Sequence, residues 1–424
     1  VGDALLAVVL AGSLFALYAR PGGIREWQAA GAGGIAAWAV SPLSWGDGLA
    51  TLRDEWGIFA FFFGLMLIAA GAEASGLYAT ATRVLAAGDP RNRAILAVVV
   101  SGTVITAILS NDATPLVLTP AVFAAARVRG FDARPAAFAA TFTADGASLL
   151  LPISNPVNLL FYERLDLTFG WYAGTVLPAA AAGALALGFV CWLRLPRLAA
   201  SVETYVPPAA RVSHSSNAVQ RGLALLTIGI LAGAYVAGAI AGLPLGIITV
   251  AGGFALVLPG LLTGRASLRT TARSLSPGLF VFVAGLLLLV ESATAAGFFD
   301  HIGDVLDALA GQPTVVTVGG AAVIAALLSN VMNNWPAALL LSAGIAVTPG
   351  QPLELIAGVL IGCTIGANFT MLGSLSTVLW LALARPRGLH VTPTSYARAA
   401  FLPTLAGLVA AVLVAATLLA WPLM

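Results

Sequence analysis

The sequence predicts an all-α polytopic membrane protein: two inverted repeats, each of five spans and one re-entrant hairpin, about 10 transmembrane helices and 2 hairpins in all. Three observations carry that expectation. The 424 residues are 59% hydrophobic and only 9% charged, whereas a soluble chain of this size carries about a quarter charged residues. The chain roughly matches itself when shifted by about 220 residues: Ala4-Leu5-Leu6 falls on Ala224-Leu225-Leu226, Arg53 on Arg273, and Ser110-Asn111 near Ser329-Asn330. All 20 basic residues are arginine, and all but two fall on one side of the implied topology.

The first repeat occupies 1–197, with apolar spans near 3–20, 26–46, 57–75, 136–162 and 170–193; a bilayer crossing takes about 20 such residues. Between the third and fourth spans lie a short arm helix at 77–89 and a helix pair at 94–127, divided by Ser110-Asn111-Asp112. A polar linker at 198–218, with Pro207, Pro208 and Arg211, joins the halves. The second repeat, 219–424, has spans near 221–241, 244–263, 277–296, 354–383 and 398–422. Its arm is near 298–311, and its helix pair, 314–346, surrounds Ser329-Asn330. The chain opens on an apolar run, Ala4–Tyr18, with no basic segment before it, so no cleavable leader is expected.

Cytoplasmic loops carry the excess of arginine and lysine. With the linker inside and both helix pairs re-entrant, only Arg53 and Arg164 face outward. Both termini then lie outside, and the outer loops collect acids such as Asp47, Asp54, Glu55, Glu163 and Asp166. Counting each pair as two full spans leaves these sides unchanged. Five spans per half is odd, so the halves insert in opposite senses, an arrangement common in alternating-access transporters. The cytoplasmic (inner) membrane is the expected location. The net charge of +2 gives no reason to expect nucleic acid. Two cysteines and three histidines make no metal cage, and no Gly-x-x-x-x-Gly-Lys stretch exists, so no resident metal or cofactor is expected.

Polar residues within apolar segments mark function, and here they gather in four places. Ser110, Asn111, Asp112 and Thr114 interrupt the first helix pair; a helix break frees backbone groups for a ligand. Asp145, Ser148, Ser154, Asn155 and Asn158 lie around Pro156, which should break span 136–162. No arginine lies in that span, so Asp145 has no local ion-pair partner and becomes, with Asp112, a candidate proton carrier. The second half supplies Asn330, Asn333 and Asn334, then Asn368, Thr370, Ser374, Ser376 and Thr377, amides and hydroxyls without an acid. These residues read equally as interhelical hydrogen-bonding glue. Glu73 and Glu291, near the ends of the third span of each half, are relay candidates or interface residues.

Taken in order, these segments resemble the arsenite-efflux (ArsB) family of the ion-transporter superfamily. The matching stretches are Asn111-Asp112-Ala113, Ala144-Asp145 with Ala147-Ser148-Leu149, Ser154-Asn155 with Val157-Asn158, Met332-Asn333-Asn334 with Pro336, Ile361-Gly362-Cys363, and Gly373-Ser374-Leu375 with Thr377. That family usually has an Asp after Ile-Gly-Cys; here it is Thr364. The resemblance implies export of arsenite and antimonite, coupled to protons or to a cytoplasmic ArsA-type ATPase, and a homodimer as in related families. As(OH)3 is a small neutral molecule with three hydroxyls, suited to an Asn/Ser/Thr site, and two cysteines cannot build a three-thiolate site. The nearest rival is a sodium/proton antiporter on the same scaffold. A dianion symporter is disfavoured by the two Asp, and an intramembrane aspartyl protease by the absence of a Gly-x-Gly-Asp stretch. A third class is a passive anchor for a cytoplasmic ATPase, which the linker at 198–218 and the arginine-rich loops could dock, though neither carries an ATPase motif.

Overall fold

A computed structural model describes residues 2–19, 21–76, 92–199, 218–241, 243–264, 267–275, 277–298 and 300–421. The arm expected at 77–89 and most of the linker, 200–217, lie outside the described residues. The described chain is helical, without a strand. In order it runs through α1 (Gly2–Ala19), α2 (Glu26–Val40), a short α3 (Trp45–Asp54) and α4 (Trp56–Ala74). There follow α5 (Asn92–Ile108), α6 (Ala113–Arg129), α7 (Ala133–Gly146), α8 (Pro156–Arg164) and α9 (Leu177–Ala199). The second half holds α10 (Ala218–Ala241), α11 (Leu245–Leu262), a short α12 (Leu268–Ser274), α13 (Pro277–Ala295) and α14 (Asp300–Ala310). It closes with α15 (Thr314–Met332), α16 (Asn334–Val347), α17 (Leu353–Thr364), α18 (Leu375–Ala384) and α19 (Pro393–Ala420).

By length and composition, six helices among the described residues are long and apolar enough to cross a membrane, or seven if the bent pair α3–α4 counts as one span. Large apolar side chains face outward on them, among them Leu185, Leu262 and Leu327. Water would penalise such a surface and lipid does not. The protein is therefore a multi-pass membrane protein. The short helices α3 and α12 lie outside the spans expected from the sequence. They are too polar to read as spans, and α3 is capped by Ser44, whose side chain accepts from the Asp47 N–H.

Packing between the halves is reciprocal: α2 lies along α13, and α4 lies along α11. Both crossings use glycine to bring backbones together. A Cβ on Gly34 would overlap the backbone of Gly285, and one on Gly253 would come 2.8 Å from the Gly64 carbonyl. Without a strong hydrophobic drive in lipid, such close van der Waals contact is what binds helices. Around α15, α17 and α19 a second cluster forms, with α9 along α19.

Three interruptions matter for the site. The pair α5–α6 is broken at 109–112. The segment expected as span 136–162 is broken between Gly146 and Pro156; α8 starts at Pro156, with the Asn155 side chain capping its first turn, where a proline needs no hydrogen-bond acceptor. The segment expected as span 354–383 is broken between Thr364 and Leu375, and Ser374 caps α18. One expectation shifts. The second helix pair was centred on Ser329-Asn330, but α15 runs on to Met332 and the interruption falls at Asn333. The Asn330 side chain donates to the Ala326 carbonyl one turn back, which keeps it within the helix.

Candidate functional site

Asp145, at the last turn of α7, is fully buried and ties three of the four polar segments together. Its Oδ1 accepts from Ser374 Oγ at 2.7 Å and from Asn111 Nδ2 at 3.1 Å. Its Oδ2 accepts from Thr377 Oγ1 at 3.3 Å. A buried carboxylate is tolerated only when donors surround it, and here the donors come from the α5–α6 break and from α18. Ser376 Oγ adds a bond to the Asn111 carbonyl at 3.1 Å. The fourth segment joins through backbone: the Asn334 N–H donates to the Gly373 carbonyl at 2.8 Å, and Asn333 Nδ2 to the Leu372 carbonyl at 2.8 Å. In the first half the Asn111 N–H donates to the Ser154 carbonyl at 2.8 Å, the same kind of tip-to-break bond.

Several predicted residues serve the breaks themselves. Ser110 Oγ accepts the Ala113 N–H, and Thr114 spends its hydroxyl on the Ser110 carbonyl and Thr106. Ser148 Oγ donates to the Asp145 carbonyl and accepts from Asn155 Nδ2. Ser154 Oγ bonds the Ala107 carbonyl, and Asn158 Nδ2 the carbonyls of Ser148 and Leu151. Asn330 Nδ2 reaches the Gly366 carbonyl at 2.7 Å, and Asn368 Nδ2 the Phe142 carbonyl at 3.1 Å. Gly373 is required there, because a Cβ would overlap the Ala367 carbonyl and crowd Asn330 Oδ1.

What remains is an excess of acceptors. The Oδ1 atoms of Asn111, Asp112, Asn158, Asn334 and Asn368, together with Thr370 Oγ1, are buried with no hydrogen-bond partner among the described residues. Leaving such an atom unsatisfied costs about 1–3 kcal/mol, so the arrangement favours a ligand that donates hydrogen bonds or carries positive charge. Asp112 is partly exposed and opens α6 without making a cap bond.

Glu73 lies within α4, with its side chain outside the described residues. Glu291 is not joined to the Asp145 network by any hydrogen bond described; its charge acts on Glu55 at the start of α4. Burial raises the Glu55 carboxyl, Arg164 counters it, and the charges of Glu291 and Asp54 raise it further. Nearby, a cavity of about 780 Å³ is lined by Asp54, Trp56, Tyr162, Glu163, Asp166 and Thr168, among others. Sequence reasoning missed Thr141, Tyr172 and Tyr396. Tyr172 holds the break between α7 and α8 by donating to the Leu149 carbonyl at 2.8 Å. Thr141 lies one turn before Asp145 on the same helix face, a local signal that was legible; Tyr396 has no local signal.

Residues 4–362 match the family described as CitMHS, citrate transporter. The chain belongs to the CitMHS family. Among its relatives, the "Arsenical pump membrane protein" of Escherichia coli is 28% identical over 425 residues, covering 94% of this chain and 96% of the relative. The protein of the same name from Yersinia enterocolitica is 28% identical over 414 residues, with the same coverage. The Alcanivorax borkumensis YdaH transporter shares the fold, with a TM-score of 0.58 at 14% identity over 88% of each chain. These relatives are named as membrane transporters or pumps and not as enzymes, and this CitMHS-family chain is a transporter by family.

Proposed function

We propose that this protein exports arsenite and antimonite from the cytoplasm in exchange for protons, by alternating access, in the cytoplasmic membrane. The observation that carries the reading is the Asp145 carboxylate, shared between the α5–α6 tip and α18 of the other half. Protonating it weakens the hold of three donors on one acceptor, so a proton arriving there loosens the contact between the halves. The naming of the relatives supports the cargo. The unpartnered buried acceptors suit As(OH)3, whose three hydroxyls are donors. Tight thiolate capture is not available to a chain with two cysteines, and weaker multi-point binding favours release.

In this reading the halves 1–197 and 219–424 are inverted repeats joined by a cytoplasmic linker, and α5–α6 and α15–α16 are re-entrant hairpins whose tips meet near the midplane. The reciprocal α2–α13 and α4–α11 packing and the paired tip-to-break bonds support it. Asp112 and Asp145 carry the protons, and the amides and hydroxyls at the breaks hold the cargo. The arginine-rich cytoplasmic face is where an ArsA-type ATPase would dock, and the protein works as a homodimer.

The test is As(III) uptake into inverted vesicles under an imposed pH gradient without ATP. Uptake that a protonophore abolishes, and that Asp145→Asn lowers at least about tenfold, is the expected result. Undiminished gradient-driven uptake by Asp145→Asn and Asp112→Asn overturns the proton assignment. Sodium/proton exchange is the second reading, favoured by the same amide oxygens, which also suit a small hard cation. Proton flux that follows added Na⁺ and ignores As(III) would select it.

A further inference from the structure

The two oxygens of Asp145 are held unequally. Two donors fix Oδ1 as an acceptor, Ser374 at 2.7 Å and Asn111 at 3.1 Å. Among the described residues Oδ2 has only the Thr377 hydroxyl, at a longer 3.3 Å. A proton added to this carboxylate therefore goes to Oδ2, facing Thr377 Oγ1. A threonine hydroxyl has one proton and two acceptor lone pairs. It can donate to an ionised Oδ2 or accept from a protonated one, but in the second state its own proton needs a new acceptor.

Two hydroxyls stand within reach of it, one on α19 and one on α7. Tyr396 Oη lies 3.3 Å from Thr377 Oγ1, and Thr141 Oγ1 also lies 3.3 Å from it. Tyr396 is fully buried, and its ring packs edge-on to Phe142 at 5.4 Å and against Trp380 at 6.2 Å. With Asp145 ionised, Tyr396 donates to Thr377 and Thr377 donates to Oδ2. With Oδ2 protonated, the direction reverses: Asp145 donates to Thr377, and Thr377 turns its own proton to Thr141. No proton is created or lost in the reversal beyond the one taken up.

We propose that Tyr396 is a positioning residue: by donating to Thr377 its hydroxyl keeps the Thr377 proton pointed at Oδ2, and so favours the ionised state of Asp145 over the protonated one. The inference rests on the proton-coupled reading above. Among the described residues, the titratable groups facing this cluster are Asp112 from the α5–α6 break and Cys191 from α9.

The experiment is an infrared pH titration of the full-length protein in lipid, following the carbonyl stretch of protonated carboxyl that disappears in Asp145→Asn. Tyr396→Phe keeps the ring packing and removes one oxygen, and it is expected to raise the midpoint of that band by about half a pH unit or more. Thr377→Ser retains the hydroxyl and should keep the parent midpoint, whereas Thr377→Val should displace it. The Thr377 pair decides the matter if Tyr396→Phe does not fold. An unmoved midpoint, or a band that survives Asp145→Asn, overturns the proposal. Because the band needs no cargo, absence of pH-driven arsenite uptake by the parent protein overturns the functional reading separately.

Discussion

Asn333 carries a cost that shows how single residues build this site. Its backbone sits at φ 80° and ψ 153°, a region that is essentially glycine-only and costs of order 1–3 kcal/mol for other residues. Its side chain offsets that cost: Oδ1 accepts the Trp335 N–H at 3.3 Å, and Nδ2 donates to the Leu372 carbonyl at 2.8 Å. Asn333→Ala keeps the strain and loses both bonds, while Asn333→Gly loses the bonds and relieves the strain. In detergent, the alanine variant should therefore unfold at a lower temperature than the glycine variant, by the equivalent of about 1–3 kcal/mol. Equal melting of the two would mean that the strained backbone is not part of the native tip. The neighbouring Asn334, two per cent exposed, has no such strain and contributes its N–H to the Gly373 carbonyl.

At the level of elements, the ends of α4 and α8 meet at the acid-lined cavity. Gly57, in the first turn of α4, leaves room for the Glu163 carboxylate; a Cβ there would sit 3.2 Å from Glu163 Oε2. Burial pushes Glu163 up to about 7 from its ordinary 4.5, with the Glu55 charge adding to the rise. A carboxyl with greater proton affinity in the folded chain than in the unfolded one stabilises the fold most at low pH. That contribution is lost as pH climbs from 4.5 towards 7. Glu163→Gln removes the ionisation, so it should melt above the parent at pH 8 and with the parent at pH 5, followed by tryptophan fluorescence. The same difference at both pH values would assign the effect to packing instead.

For the molecule as a whole, orientation in the membrane is the property on which the proposed direction of transport depends. Cys191 and Cys363 are both buried, which leaves the native chain a quiet background for thiol labelling. Gly170, beside the cavity, has open space where a side chain would go. Thr394, exposed at the start of α19, lies in sequence between Arg387 and Arg398, on the side proposed to be cytoplasmic. An impermeant maleimide should label Gly170→Cys in intact cells and Thr394→Cys only in inverted membranes. The opposite pattern would invert the topology, and with it the sense of export.

The bilayer solvent, the helical class and the positions of two of the four breaks were determined by the sequence alone. Each rests on local chemistry: long apolar runs have one favourable solvent, and Asn155-Pro156 disfavours carrying a helix across it. The same locality marked Asp145 and the Ser374–Thr377 stretch as polar intrusions, though not as partners. Only the tertiary structure decided that Ser374 and Thr377 bond that carboxylate across more than two hundred residues, or that Tyr396 stands behind Thr377. It also decided that Glu291 acts on Glu55, and that the second break falls at Asn333 rather than Asn330. Residue type and spacing report what a segment requires, but which segment supplies it is set by where helices cross, and here those crossings are fixed by close backbone contacts such as Gly34 on Gly285.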